Sequence, residues 1–366
     1  MKVPFIDLTR QYATIGVDVE RAVGAVLAGG QYILGPEVAA FERELAAYCG
    51  VEHGIGVASG TDALRLALEA VGVGPGDEVI VPVFTFVATA EVVTNLGATP
   101  VFADIEAGRL GLDAADVARR LTERTKAVVP VHLYGRCADM APLEALAARH
   151  GLAVIEDAAQ AVGAEYRGRR AGSLGRIGCF SLFPTKNLGA YGDGGILTTA
   201  DSALAERLRM LRAHGSRQKY FHESTGWCSR LDEIQAAALR VKLRHLDAWT
   251  ERRRTLAARY RAALAGLPLG VPEEGTDERA VYHLFTVRSP RRNELKKHLD
   301  HAGIGSAIHY PIPVHRQPLY RHVGGSFPES ERASEEVLSL PLFPELTEAE
   351  QDEVVAAVRA FYETAA

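Results

Sequence analysis

Between residues 53 and 199, short β-branched apolar runs alternate with stretches whose apolar residues recur every three or four positions. The runs HGIGVAS, DEVIVP, TPVFADI, KAVVPVHLYG, GLAVIED, IGCFSLF and GGILTT predict seven strands. Between them, TDALRLALEAVG (61–72), FVATAEVVTNLG (86–97), DAADVARRLTER (113–124) and APLEALAARHG (141–151) carry helical spacing, most of them stopping at glycine. Such alternation needs crossover connections. The expected fold class is therefore α/β, a mostly parallel seven-stranded sheet with helices on both faces. Residues 184–193 are too few for a crossover helix, so the sixth and seventh strands are expected to form one antiparallel pairing. Residues 202–213 and 231–263 read as further helices, the second broken or bent. Beyond about residue 250 the chain has its own helix and strand patterns, AVYHLFTVRS, RNELKKHLDHAG and EAEQDEVVAAVRAFYE. The expected organisation is a large domain over 1–249, including an N-terminal segment, and a smaller C-terminal α+β domain over 250–366.

A length of 366 residues with 47% hydrophobic content suits that division. Net charge is -5 and the basic residues are interspersed with acids, so nucleic acid is not an expected partner. Cysteines occur singly at 49, 137, 179 and 228 without a CxxC pair, which suits a reducing compartment. MKVPFIDLTRQY lacks an apolar signal core, and no run approaches the length of a membrane span. A cytoplasmic protein without a membrane partner is expected.

Ligands of open parallel sheets bind beyond the carboxyl ends of the strands, where polar residues interrupt the apolar runs. VASGTDAL (57–64) passes from strand to helix, placing the amides of Gly60 and Thr61 at a helix N-terminus that favours phosphate. The same residues fit a plain helix start capped by Ser59 or Thr61. Walker A, GxGxxG, HExxH and GxSxG motifs do not occur, and no metal site is expected. LAVIEDAAQAVG (152–163) ends a strand in Glu156 and Asp157. Asp157 is the better candidate to face the cleft, although strand-end aspartates also cap helices; Glu156 reads as a surface residue or an ion-pair partner. In FSLFPTKNLGAYGDGG (180–195), Lys186 leaves the sixth strand into a glycine-rich loop, a setting in which a lysine is ordinarily solvated. The combination carries more than its parts. A phosphate nest, a strand-end aspartate, the aromatic VFTF segment and this lysine are what pyridoxal phosphate (PLP) needs: an anion site, a carboxylate for the ring nitrogen, a flat partner and an amine.

The stretches QYILGPEVAAFERELAAYCGVEHGIGVASGTDAL, GDEVIVPVFTFVATAEVV, PVHLYGRCADM, VIEDAAQAVGA, SLFPTKNLGAYGDGG and RLDEIQAAALRVKLRHLDAW resemble the DegT/DnrJ/EryC1/StrS sugar aminotransferases, in the family's order and over nearly the whole chain. The resemblance implies a PLP-dependent transferase of fold type I, a homodimer whose active sites draw on both subunits. It makes Lys186 the cofactor lysine, Asp157 the partner of the pyridine nitrogen and Phe86 the ring-stacking residue. Gly60, Thr61 and Ser181 would hold the phosphate, and Gln160 would lie against the ring near its hydroxyl. In GWCSRLD (226–232), Cys228 stands where the family pattern has an asparagine that reaches across the dimer to the phosphate, and a thiol is a weaker donor. Phe183 stands where relatives commonly have tyrosine, which removes a hydroxyl from a possible substrate contact.

The implied reaction moves an amino group from L-glutamate to a nucleotide-linked ketohexose. Residues 214–237 look most like enzymes that aminate C3 of dTDP-3-keto-6-deoxyhexoses in amino-sugar biosynthesis, on routes to antibiotics or cell-surface sugars. Arg217, Lys219 and His222 are expected to face one diphosphate, or else to form a solvated basic loop. AIHYPIPVHRQP (307–318) offers His309 and Tyr310 as sugar contacts, or is a proline-stiffened loop that only packs. A 4-ketosugar or keto-inositol aminotransferase would share every cofactor residue. A PLP-dependent sugar dehydratase usually carries histidine at the lysine position, so Lys186 counts against it, and a PLP-binding sensor or assembly subunit is the non-enzyme alternative.

Overall fold

In the computed structural model, which describes residues 2–363, the sheet follows directly from the apolar runs. Its strands are β1 (His53–Val57), β2 (Glu78–Pro82), β3 (Thr99–Ala103), β4 (Thr125–Val128), β5 (Ala153–Asp157), β6 (Ile177–Ser181) and β7 (Gly195–Thr199), in the spatial order β1-β7-β6-β5-β4-β2-β3. All neighbours from β6 to β3 pair in parallel. β7 is antiparallel to β6 and also to β1. The sequence pattern predicts one antiparallel pairing; the second arises because a strand turned back by a short loop opposes both of its neighbours. The run KAVVPVHLYG is likewise not one strand. β4 ends at Val128, just before Pro130, which lacks an N–H for the ladder, and Tyr134 turns the chain with φ 59°.

Helices α2 (Pro36–Cys49), α3 (Gly60–Ala70), α4 (Ala88–Asn95), α5 (Ala114–Arg120), α6 (Met140–His150), α7 (Ser202–Leu211) and α8 (Glu233–Leu243) surround the sheet, and α1 (Leu8–Gly29) packs on α8 through Ile15 and Val19. Strand alternation divides the core in two. Ile80 and Val154 pack with Phe41, Leu143 and Leu239 on one face. Val79, Val81 and Ile155 pack with Leu66, Val92 and Leu208 on the other. Residues 231–263 form two helices, α8 and α9 (Leu246–Ala263), with Arg244 and His245 at the break. The carboxylate of Glu233 in α8 accepts from Gly35 N, Glu37 N and Val38 N at 2.7–2.9 Å, so it caps α2, whose own Gly35 has no side chain to do so.

Further along lie β8 (Phe285–Arg288), α10 (Arg292–His301), α11 (Pro328–Glu336), β9 (Val337–Leu340) and α12 (Glu348–Glu363). β8 and β9 pair antiparallel. With α9, α10 and α12 they enclose a separate core of Tyr260, Phe285, Leu299, Leu340 and Val358, which Val3 from the N-terminal segment joins. No helix among the described residues is long and apolar enough to cross a membrane.

Candidate active site

A cavity of about 440 Å³ opens beyond the carboxyl ends of β5 and β6, against the N-termini of α3 and α4. Asp157, the last residue of β5, reaches it from the face of the sheet that α3 and α4 cover. Its Oδ2 accepts from Thr89 Oγ1 at 2.8 Å and its Oδ1 from Ala159 N at 3.2 Å. Burial pushes the Asp157 carboxyl above its ordinary range, while these donors and the nearby charge of Lys186 pull it down. Lys186 lines the same cavity from the loop after β6, where its N–H donates to Phe183 O at 2.9 Å. Loss of water around the amine brings its pKa down to about 8, partly offset by Asp157.

The phosphate nest is equally local in origin. Ser59 caps α3 by accepting from Asp62 N at 3.1 Å, and no protein acceptor among the described residues takes the amides of Gly60 and Thr61. A Cβ on Gly60 would lie 2.6 Å from Ser181 Cβ, and one on Gly195 would lie 2.2 Å from Ser59 O. Glycine at both positions lets the start of α3 press against the ends of β6 and β7. Gly60, Thr61 and Ser181 thereby face one hollow, with Asp157, Lys186 and the exposed ring of Phe86 around it. A free helix N-terminus, a buried carboxylate, an amine of lowered pKa and an aromatic ring are the groups PLP requires, so the residues present fit it.

Further contacts fix Glu156, Gln160, His309 and Tyr310, which sequence reasoning considered, and His132, His283 and Asn187, which it did not single out. Glu156 is fully buried on the opposite face from Asp157. It accepts from Gly172 N, Leu174 N and Gly175 N at 2.7–2.8 Å and from His132 Nε2 at 2.9 Å. Of its two expected roles the surface one is wrong, and the partnered one extends to a whole turn. Ala138 N donates to His132 Nδ1, which places the ring proton on Nε2 toward Glu156. Gln160 accepts from Tyr134 N at 2.7 Å and donates to Tyr310 OH at 3.2 Å, so its amide is held at the cavity wall. Tyr310 packs 5.9 Å from the ring of Phe86. His309 and His283 also line the cavity. Burial, with the Lys186 charge second, brings His309 down to about 4 and holds His283 well below its ordinary value, so both rings are neutral near pH 7. Asn187 Nδ2 donates to Val281 O, which leaves Asn187 Oδ1 to accept from His283 Nδ1 at 3.2 Å.

Of the other expected site residues, one meets the cavity and four stand apart from it. Phe183 is at the cavity mouth, about half exposed. Arg217, Lys219 and His222 come together, but they line a separate groove of about 960 Å³ beside α7, with Arg209 and Arg230. Cys228 is exposed and lines neither hollow; Arg230 Nη2 donates to its sulfur at 3.0 Å. Within one chain, therefore, these four residues do not meet Lys186.

A model of the DegT/DnrJ/EryC1/StrS aminotransferase family matches residues 13–359. The chain is 51% identical over 366 residues to the dTDP-3-amino-3,4,6-trideoxy-alpha-D-glucose transaminase of Streptomyces venezuelae, a match covering 99% of this chain and 97% of that protein. Its fold matches the crystal structure of S. venezuelae DesV in complex with a ketimine intermediate with a TM-score of 0.97, at 52% identity and covering 99% and 98% of the two chains. NtdA from Bacillus subtilis with bound cofactor PMP matches with a TM-score of 0.93 at 32% identity, covering 99% and 85%. The cofactor of such enzymes is the one the cavity fits. With the family model spanning nearly all of its length, the chain belongs to the DegT/DnrJ/EryC1/StrS aminotransferase family.

Proposed function

We propose that this aminotransferase moves the amino group of L-glutamate to C3 of a dTDP-linked 3-keto-6-deoxyhexose, as a step in amino-sugar biosynthesis. The observation that carries the reading is the meeting of Lys186 and Asp157 in one cavity at the open N-terminus of α3. The choice of sugar rests on the similarity to the S. venezuelae transaminase, whose name gives a dTDP-3-amino sugar.

When bound, PLP supplies an aldehyde for amines and a ring that takes up the electron pair left when a proton leaves the carbon bearing the amine. Lys186 would hold it through its amine, and that amine, when free, would carry the proton taken from or returned to that carbon. A pKa of about 8 keeps a share of the amine neutral and able to accept it near neutral pH. Asp157 would keep a proton on the ring nitrogen, and the positive charge placed there would relieve the cost of burying the carboxylate. The amides of Gly60 and Thr61 with Ser181 would take the phosphate, Phe86 would cover the ring, and Gln160 would stand at the ring's edge. His309 and Tyr310, both neutral at working pH, line the side left for sugar, and Phe183 narrows the mouth.

The working unit in this reading is a homodimer in the cytoplasm. Tyr32, Ile33, Leu34, Tyr220 and Phe221 are exposed near the basic groove, a surface that favours cover by a second copy. Such a copy would bring Arg217, Lys219 and His222 to the sugar diphosphate and Cys228 toward the cofactor phosphate. Residues 1–249 and 250–366 are proposed as the large and small domains, supported by a separate core that is built mostly from residues beyond 250 and that Val3 joins; residues 1 and 364–366 lie outside the described residues.

The test is incubation of the PLP-loaded enzyme with L-glutamate and a panel of 3-keto and 4-keto nucleotide sugars and keto-inositols, with NMR of the product. Amination at C3 of the dTDP-3-keto sugar is expected. Turnover only of a 4-ketosugar or a keto-inositol would assign the alternative acceptor, and no turnover with bound PLP would favour a sensor.

A further inference from the structure

α8 presents two polar side chains, Gln235 and Lys242, to the glycine-rich loop that follows Lys186. Two helical turns separate them, so both lie on one face. Lys242 is 2% exposed, and no carboxylate among the described residues comes within ion-pairing distance of its amine. Its Nζ donates to Gly189 O at 2.7 Å and sits 3.9 Å from the ring centroid of Tyr191. Burial of this ammonium is unfavourable and brings its pKa down to about 8, which the more distant charge of Glu345 offsets only in part. What it gains is a hold on one loop carbonyl and one loop ring. Gln235 Oε1 accepts from Tyr191 N at 2.8 Å.

The rest of the loop shows what such a hold controls. Its base is closed by Leu182 N to Gly194 O at 2.8 Å and Ala190 N to Leu182 O at 2.7 Å. Gly189 folds back so far that a Cβ there would lie 2.3 Å from Pro184 O, so fixing Gly189 also fixes the residue two positions before Lys186. On the other side, Asn187 is held by Val281 O and His283. Lys186 is bracketed between these two anchorages.

We infer that Lys242 and Gln235 are positioning residues, which hold the 187–192 loop so that the Lys186 amine meets the cofactor in one geometry; this rests on Lys186 being the cofactor lysine. Lys242→Met keeps the volume and removes both the charge and the donor. Gln235→Met removes the acceptor, and Gln235→Glu keeps it. The measurements are hydrogen exchange of residues 186–194 in the apoprotein and the dissociation constant for PLP. Both methionine variants are expected to melt like the wild type, to exchange faster across this segment, and to bind PLP about tenfold more weakly, the loss of one charge-assisted or buried hydrogen bond. Gln235→Glu is expected to restore both readings.

Wild-type exchange in the methionine variants overturns the inference, and so does faster exchange with unchanged PLP affinity. Should Lys242→Met fail to fold, the Gln235 pair alone decides. A wild-type protein that takes up no PLP would instead overturn the function proposed above, while exchange in the apoprotein still judges the clamp.

Discussion

Thr89→Val isolates the electrostatics of Asp157. The hydroxyl of Thr89 donates to Asp157 Oδ2 at 2.8 Å and is itself 3.1 Å from Thr85 Oγ1. Valine keeps the shape and removes one of the two protein donors that stabilise the carboxylate. Burial holds the Asp157 carboxyl above its ordinary value of 3.8, so the folded chain binds this proton more tightly than the unfolded one. Stability from this group therefore falls as pH rises from about 3.8 through the folded-state value, and the cost is fully present above it. A hydrogen bond to a buried charged group contributes about 1.5–3 kcal/mol against about 0.5–1.5 kcal/mol for a neutral one, so its loss penalises the ionised form more. The assay is urea unfolding of wild-type and variant apoprotein at pH 8 and at the lowest pH at which both remain folded. The gap is expected to approach that size at pH 8 and to shrink on acidification. An equal gap at both pH values would refute the assignment of Asp157 as a buried carboxylate held by Thr89.

Other outcomes follow from the same geometry. Lys186→Met is expected to abolish transamination with the fold intact. Because burial lowers the Lys186 amine from 10.5 to about 8, wild-type apoprotein should gain stability from this group as pH rises between those values, and the variant should not. Chemical unfolding across that range decides, and identical pH dependence counts against the lowered pKa. Glu156→Ala leaves three backbone donors and His132 unpaired in the interior, which is expected to cost about 3–5 kcal/mol by urea unfolding; a loss under about 1 kcal/mol would contradict that network. Gly60→Ala drives a methyl into Ser181 and parts α3 from β6. PLP affinity should fall about tenfold or more, equivalent to about 1.4 kcal/mol, and unchanged affinity would remove this point from the phosphate nest.

Much of the site is legible in sequence because its main groups interrupt apolar strands where a parallel sheet opens. Asp157 and Lys186 stand out for that reason, as does Gly60 at the start of α3. Partners that act from a distance in the chain are harder to see. Glu156 looks like half of an acidic pair, and its burial is set by a turn at 172–175 and by His132, none of which sequence spacing links to it. His132 had a visible signal, a lone imidazole in the apolar PVHLYG run; Thr89 had a fainter one, a threonine four residues after Thr85 at the start of a helix. The second antiparallel edge of β7 was hidden because β1 lies far back in the chain. Arg217, Lys219 and His222 do cluster as their spacing suggests, but the fold sets them against α7 rather than beside Lys186.

The most direct measurement is borohydride treatment of the PLP-loaded protein followed by peptide mass spectrometry. A stable pyridoxyl-phosphate label on Lys186, absent from Lys186→Met, is the predicted result. A label on another lysine, or none from protein that has bound PLP, would contradict the central claim.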